Sequence, residues 1–209
     1  MKGCRRVSDP LAKQTADRGA RRKAESLAKL KSSARKLFVE RGYHLTRPQD
    51  ITRDAGLGHG TFYLHFKDKR DCYLAFVEEA RAELYDYIRS RVGRGGSLED
   101  TVAMTLTAIY DYADANPGVL GAAMADEAII DTGSAPSQSL LHHWGRDWAE
   151  IIREGAQCGS VAGVYDPAIV GHAIVGAIHH CRLAGDRSGH ERQQVVENLT
   201  RFLVRALRP

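Results

Sequence analysis

Side chains able to read base edges are closely spaced between residues 47 and 64 of the sequence. Arg47, Gln49 and His59 carry hydrogen-bonding groups and lie at the predicted starts of two short helices. Such groups match the donors and acceptors of the DNA major groove, and Thr61 and Leu64 add contacts to a base edge or a thymine methyl group. The chemistry that these residue types indicate is recognition of a duplex.

A second set of groups in the same stretch suits phosphate oxygens. Tyr63 and His65 carry donors within reach of a phosphate, and Gly60 lets a helix N-terminus approach one closely. The alternative for Tyr63 and His65 is ordinary helix packing. We favour the phosphate role because Phe62 and Phe66, four residues apart, already supply an inward apolar face.

Histidines and a cysteine later in the chain raise the question of a metal site. They occur as His142 next to His143 and as the run His179, His180 and Cys181. Adjacent residues on a helix point about 100° apart, so two neighbouring histidines rarely bind one ion. Their spacing matches no HxxxH or CxxC pattern, and the sequence predicts no metal and no other cofactor.

Two other classes of function remain open. Asp111, Asp114, Asp126 and Glu127 could act as acid or base groups of a helical enzyme. The chain nevertheless carries no nucleophile elbow, phosphate loop or dinucleotide fingerprint, so we do not expect an enzyme. The third class is a helical interaction module that binds RNA or acidic partners without reading a duplex sequence.

The base-reading residues must be positioned by two short helices with a tight turn between them. Thr46 and Gln49 form a predicted capping box, and Pro48 in the first turn loses no needed hydrogen bond. Gly56 ends the first helix, and the second is predicted over residues 59–66. This is the geometry of a helix-turn-helix, whose second helix fits the major groove.

The string from Thr46 to Lys69 closely resembles the N-terminal domain of the tetracycline-repressor (TetR) family. Family members typically read A-G-V-S-x-G-T-x-Y-x-H-F-x-x-K, and this chain reads AGLGHGTFYLHFKDK from Ala55 onward. Gly58 stands where a Ser or Thr usually caps the recognition helix, which weakens that cap. The resemblance covers about residues 30–75. It implies that Thr46 takes part in DNA binding and that Lys69 holds the DNA backbone.

Charge is divided unevenly along the chain. Residues 1–70 hold 18 Lys and Arg against 7 Asp and Glu, whereas residues 71–209 hold 12 Arg against 19 Asp and Glu. A basic part on an acidic body indicates that one end faces a polyanion. Residues 1–22 are predicted to be a flexible basic arm, which either contacts phosphates and the minor groove or only aids solubility.

Periodicity predicts an all-α fold of about nine helices in two domains after the arm. Residues 23–70 form the helix-turn-helix domain, and residues 71–209 form a regulatory and dimerisation domain. Beyond the helix-turn-helix, the predicted helices cover residues 68–91, 97–116, 118–129, 137–157, 167–184 and 190–207. Asp68, the segment Ser97–Asp100 and Asp166 are predicted N-terminal caps, and Gly42 fits a left-handed C-cap of the first helix.

The resemblance also implies a homodimer that binds palindromic operator DNA and responds to a small-molecule effector, most often as a repressor. Small and apolar residues in the last two helices are the candidates for the dimer interface: Ile169, Ala173, Gly176, Ala177, Leu199, Phe202 and Leu203. Bulky residues of the middle helices are the candidates for a ligand pocket, although each of them could equally be ordinary core: Met104, Ile109, Tyr110, Met124, Trp144 and Trp148.

A cytoplasmic location is expected from what the sequence lacks. No apolar run approaches the ~20 residues needed to span a bilayer, and the basic N-terminus has no apolar stretch behind it. The four cysteines are scattered, which is typical of reduced thiols. No membrane partner is predicted.

Overall fold

The computed structural model describes residues 10–93, 96–125 and 139–209. All regular structure in these ranges is α-helical, so the predicted all-α fold is confirmed. The helices are α1 (Pro10–Leu45), α2 (Pro48–Asp54), α3 (Gly60–Tyr63), α4 (Lys69–Arg91), α5 (Leu98–Ala115), α6 (Val119–Met124), α7 (Leu140–Gln157), α8 (Pro167–Ser188) and α9 (Arg192–Leu207).

Packing divides the chain into two units, residues 1–73 and residues 74–209. The sequence had placed the division after residue 70. No helix in the described ranges is both long enough and apolar enough to cross a membrane. Cys72, Cys158 and Cys181 are free thiols, and Cys4 lies outside the described residues.

Three helices begin at the caps that the sequence predicted. The carboxylate of Asp68 accepts from the amide of Asp71, 2.8 Å away, at the start of α4. The Ser97 hydroxyl accepts from the amide of Asp100 at the start of α5. The Asp166 carboxylate accepts from the amide of Ala168 just before Pro167 opens α8. Each cap satisfies a donor that the helix leaves unpaired, a contribution of about 1 kcal/mol.

Several helix boundaries differ from the predicted ones. α1 begins at Pro10 and not at Lys23, so part of the predicted arm is helical, and residues 1–9 lie outside the described ranges. The helix breaks at Gly42, whose φ of 74° confirms the left-handed position expected there. α3 has only four residues. The predicted loop at residues 131–136 and the end of the helix before it also lie outside the described ranges.

The turn predicted at residues 185–189 is instead the last part of α8. Gly189, with a φ of 67°, takes the C-cap position, so the helix continues to Ser188. Gly185 is buried against α9, because a Cβ placed there would lie 2.9 Å from Cγ2 of Val195. The glycine therefore serves close helix packing and does not end the helix.

The first unit has its core between α1, α2 and α3. Leu30 and Phe38 of α1 are fully buried together with Ile51 of α2 and Phe62 of α3. The Phe38 ring meets the Tyr73 ring edge to face, with 5.1 Å between centroids. This core fixes α2 and α3 against α1 and leaves their opposite faces to solvent.

In the second unit, α7 and α8 are the pair of helices that pack most closely. A Cβ on Gly171 of α8 would lie only 2.2 Å from the carbonyl oxygen of Gly145 in α7, so the two backbones are nearly in contact. α9 packs on α5 and α8. Part of the small-residue character of α8 is therefore used inside the subunit.

Candidate nucleic-acid interface

The starts of α2 and α3 present one continuous set of exposed residues within the first unit. Arg47, Gln49 and His59 are exposed, and Tyr63 and Leu64 are 53% and 72% exposed. Gly60 is also exposed, and Thr61 is half-buried. The opposite faces hold the buried side chains of Ile51, Phe62 and Phe66. The inward orientation predicted for Phe62 and Phe66 is confirmed.

Thr46 does not lie on this surface. Its side chain is fully buried, and its hydroxyl donates to the carbonyl of Gly42 at 2.8 Å and lies 3.2 Å from the carbonyl of Leu37. The break at Gly42 leaves α1 carbonyls without helical partners, and the hydroxyl satisfies them. The predicted capping box of Thr46 with Gln49 and the predicted DNA contact of Thr46 are therefore both wrong.

Arg47 takes the N-cap position of α2 in place of Thr46. Its backbone amide donates to the Asp50 carboxylate at 3.2 Å, so this acidic residue in the first turn of α2 satisfies the amide of the N-cap residue. The Arg47 side chain stays exposed and makes no capping bond. The guanidinium is consequently available for an external partner.

His65 turns toward α1. Its Nε2 lies 2.8 Å from the Ser26 hydroxyl oxygen, and burial together with the nearby Lys23 ammonium lowers the pKa of the imidazole. The contact occupies one ring nitrogen of the side chain that the sequence assigned to a phosphate. His65 therefore positions the turn after α3. This is the helix-packing role that the sequence left open as the alternative to a phosphate contact.

Lys69 is also engaged inside the unit. Its Nζ donates to the carbonyl of Tyr43 at 2.9 Å and lies 4.0 Å from the centre of the Tyr43 ring. These contacts join the start of α4 to the end of α1. The sequence had assigned this ammonium to the DNA backbone alone.

An ion pair joins α2 to α1. Lys36 Nζ lies 2.6 Å from Oδ1 of Asp54. The hydrogen bond to Lys36 lowers the pKa of Asp54, and the same bond raises the pKa of Lys36. The pair adds to the contacts that orient α2 on α1.

Two exposed residues of this region were not assigned a role from the sequence. Leu45 is 74% exposed just before α2, and Lys67 is exposed just after α3. Lys67 lies in a basic segment, where a lysine is itself a signal for phosphate contact. The exposed position of Leu45 depends on the break at Gly42, which local periodicity does not reveal.

A cavity of about 490 Å³ lies in the second unit between α4, α5 and α7. Trp144 and Trp148 line it, as predicted, but the other four predicted pocket residues do not. Ile109 and Tyr110 are buried in the core, where Arg192 of α9 lies over the Tyr110 ring. Met104 and Met124 are half-buried elsewhere. The lining that the sequence missed comes largely from α4 and α5: Tyr85, Ile88, Arg89, Val92, Gly93, Thr101, Thr105, Asp147 and Ile151.

Exposed apolar residues follow the outer faces of α8 and α9. Ile169 is 71% exposed and Phe202 is 63% exposed, and Ala173 is also exposed. Gly176 and Ala177 are half-buried. A groove of about 550 Å³ runs between the two helices, with Phe202 and Leu199 among its lining residues. Leu199 and Leu203 are 7% and 4% exposed, so both side chains pack mainly inside the subunit.

The histidines that raised the question of a metal site, His142, His143, His179 and His180, lie on α7 and α8. His142 Nδ1 is 3.4 Å from Nε2 of His172, and burial is the main cause that lowers the pKa of His143. Within the described ranges, no three His, Cys, Asp or Glu side chains are grouped closely enough to hold a metal ion. Asp126 and Glu127, named as possible acid or base groups, lie outside those ranges.

Comparison with known proteins connects this geometry to a family. Residues 31–76 match the family model of bacterial regulatory proteins, tetR family. The chain is 20% identical over 148 residues to the fatty acid metabolism regulator protein of Bacillus subtilis, which covers 70% of this chain and 76% of the relative.

Two solved structures share the fold. The transcriptional regulator FadR from Bacillus subtilis in complex with stearoyl-CoA has a TM-score of 0.66 at 17% identity, covering 86% of this chain and 98% of that one. A gamma-butyrolactone receptor (ArpA like protein) has a TM-score of 0.63 at 21% identity, covering 90% of each chain. The helical arrangement is thus that of regulators with an N-terminal helix-turn-helix.

Proposed function

Because the chain belongs to the TetR family of transcriptional regulators, we propose that it binds palindromic operator DNA as a homodimer and releases it when a small molecule occupies the second unit. The proposed outcome is repression of the bound gene, relieved by the effector. Such a protein works in the cytoplasm, where its target DNA lies.

The observation that carries this proposal is the exposed set on α2 and α3. Arg47 and Gln49 at the start of α2, with Tyr63 and Leu64 at α3, are exposed while the opposite faces are buried. Such an arrangement suits insertion of α3 into a major groove, with Gln49 reading a base edge and Leu64 meeting a thymine methyl group.

A palindromic operator is the site that a two-fold-symmetric dimer would bind. A dimer through α8 and α9 would pair the exposed Ile169 and Phe202 of one subunit with those of another copy. Two copies of α3 would then meet half-sites separated by about 34–36 Å, one turn of DNA.

The cavity between α4, α5 and α7 supports the proposed effector site. Its volume of about 490 Å³ is within the usual range for small-molecule pockets. A relative of the same fold was solved with stearoyl-CoA, and another is a receptor for a gamma-butyrolactone. An effector releases DNA only if it binds the DNA-free conformation more tightly than the DNA-bound one.

Selection of genomic fragments with the full chain, followed by titration of the selected duplex, tests this proposal. We expect a two-fold-symmetric site and an affinity whose logarithm falls linearly with the logarithm of salt concentration. The Arg47→Ala variant should lose affinity, whereas Arg146→Ala, an exposed arginine of the second unit, should not. Absence of duplex binding at low salt would overturn the proposal, and binding without preference for a palindrome would favour the interaction module.

A further inference from the structure

The cavity of the second unit is built from three helix faces. Tyr85 and Arg89 lie one turn apart on α4, and Thr105 lies on α5. On α7, Trp144 and Trp148 are one turn apart with Asp147 between them, so all three project to the same side. The walls are therefore mainly aromatic and aliphatic, and Asp147 brings a carboxylate into them.

The Asp147 carboxylate lies near positive charges but does not pair directly with any of them. Among the described residues, none donates a hydrogen bond to it and none pairs with it as an ion. Arg81, one of the positive charges that act on Asp147, is itself bound to Glu78 at 2.6 Å. Burial raises the pKa of Asp147, against the opposing charges of Arg81, His143 and Arg146. A partly desolvated, unpaired carboxylate is costly unless a cation reaches it.

The aromatic walls of the cavity also favour a positively charged ligand. Trp144 and Trp148 are only 7% and 4% exposed, so their indole rings form a largely dehydrated surface. An aromatic face attracts a cation and does not attract an anion, and the attraction is stronger when water is excluded. Two indoles and a carboxylate on one helix face therefore form a site for a positively charged apolar group.

Among the described residues that line the cavity, Arg89 is the cation, and it would favour an anionic ligand. Its guanidinium carbon lies 5.6 Å from the centre of the Tyr85 ring, and the side chain is exposed at the edge of the cavity. Asp147 is more buried than Arg89, and a charge acts more strongly where water is excluded. Arg89 is also already stacked on an aromatic ring. The deeper carboxylate, and not the outer guanidinium, decides the preferred ligand charge.

We propose that this cavity binds an apolar organic cation, an aromatic or alkyl ammonium or phosphonium, with Asp147 as its counter-ion and Trp144 and Trp148 as its walls. The inference rests on the proposed function in one respect only, because it takes this cavity to be the effector site. It adds the chemical class of the effector, which the family resemblance leaves open.

The experiment uses the two tryptophans as reporters. Trp144 and Trp148 are the two tryptophans of the chain and both line the cavity, so intrinsic tryptophan fluorescence reports on it. The full chain is titrated with tetraphenylphosphonium and, separately, with tetraphenylborate, which has nearly the same size and shape and the opposite charge. We expect the phosphonium to bind at least about tenfold more tightly than the borate.

Two variants test whether the Asp147 carboxylate is the charge that makes the cavity prefer the phosphonium to the borate. Asp147→Asn keeps the shape of the side chain and should weaken phosphonium binding about tenfold without weakening borate binding. The matched control is Asp86→Asn, an exposed carboxylate on α4 that does not line the cavity, and it should leave both affinities unchanged.

The proposal is overturned if the borate binds as tightly as the phosphonium, if neither ion binds, or if Asp147→Asn leaves phosphonium affinity unchanged. Tighter borate binding that is lost in Arg89→Ala would assign the site to an anionic ligand. Because this titration contains no DNA, its failure is distinct from failure of the regulatory proposal. Phosphonium binding that leaves affinity for the selected operator unchanged would support the ligand class and contradict its regulatory role.

Discussion

The imidazole of His65 and the hydroxyl of Ser26 meet at 2.8 Å, and this contact joins the turn after α3 to α1. The Ser26 hydroxyl oxygen also lies 2.9 Å from the carbonyl of Lys23 in the same helix. Depending on the imidazole tautomer, the hydroxyl donates to the Lys23 carbonyl and accepts from His65, or donates to His65. The reading surface is thus oriented by a hydrogen bond that the sequence does not reveal.

Removal of the Ser26 hydroxyl should loosen the first unit. We expect Ser26→Ala to lower the free energy of unfolding by about 0.5–1.5 kcal/mol, because His65 loses its partner in a half-buried position. Urea unfolding of the full chain measures the change. Ser32→Ala, an exposed serine of the same helix, is the matched control and should be close to neutral. Equal losses in the two variants would contradict a specific role for Ser26.

Stability should depend on pH near the histidine range. The pKa of His65 is lowered in the folded chain, so the unfolded chain binds more protons as the pH falls below about 6.5. The folded state should therefore be fully stabilised above that pH and lose stability as the pH falls through the folded pKa. His143 contributes with the same sign.

The pH profile of urea unfolding in the wild type and in His65→Asn checks this sign. The variant should show a smaller loss of stability between neutral and mildly acidic pH. A wild-type stability that rises on acidification would show that the proton is bound more tightly in the folded chain.

Substitution of a base-reading residue and of a phosphate-contacting residue should affect DNA binding in different ways. We expect Gln49→Ala to reduce discrimination between the selected operator and a site changed at one base pair, by about 1–3 kcal/mol. Lys67→Ala should instead weaken all duplexes alike and reduce the salt slope by about 1, because it removes a phosphate contact. Fluorescence anisotropy at several salt concentrations measures both effects. A uniform loss for Gln49→Ala would assign this residue to the backbone.

The exposed faces of α8 and α9 should hold two copies together. A charge in place of Phe202, which is 63% exposed, should shift the protein toward the monomer because an unpaired charge would be buried at the interface. Sedimentation of Phe202→Asp measures the shift. Leu64→Asp, an exposed apolar residue of the other unit, is the control and should leave the oligomeric state unchanged. A dimer that persists in Phe202→Asp would place the interface elsewhere.

Local signals in the sequence were sufficient for much of the fold. Asp68, Ser97 and Asp166 act as caps as predicted, because a cap involves residues only two or three positions apart. Phe62 and Phe66 face inward for a similar reason, since their spacing defines one helix face. Boundaries were less accurate: α8 continues past Gly185 because this glycine packs against α9, which is a long-range contact.

By itself, the sequence determined the helical class, most of the caps and the string from Thr46 to Lys69 that resembles one family. All of these depend on residues close together in the chain. Only the tertiary structure decided that Thr46, His65 and Lys69 turn inward to α1, and that Trp144 and Trp148 share a cavity with Asp147 and α4. Those outcomes depend on which helices pack together, because a polar side chain turns inward only where a distant partner satisfies it.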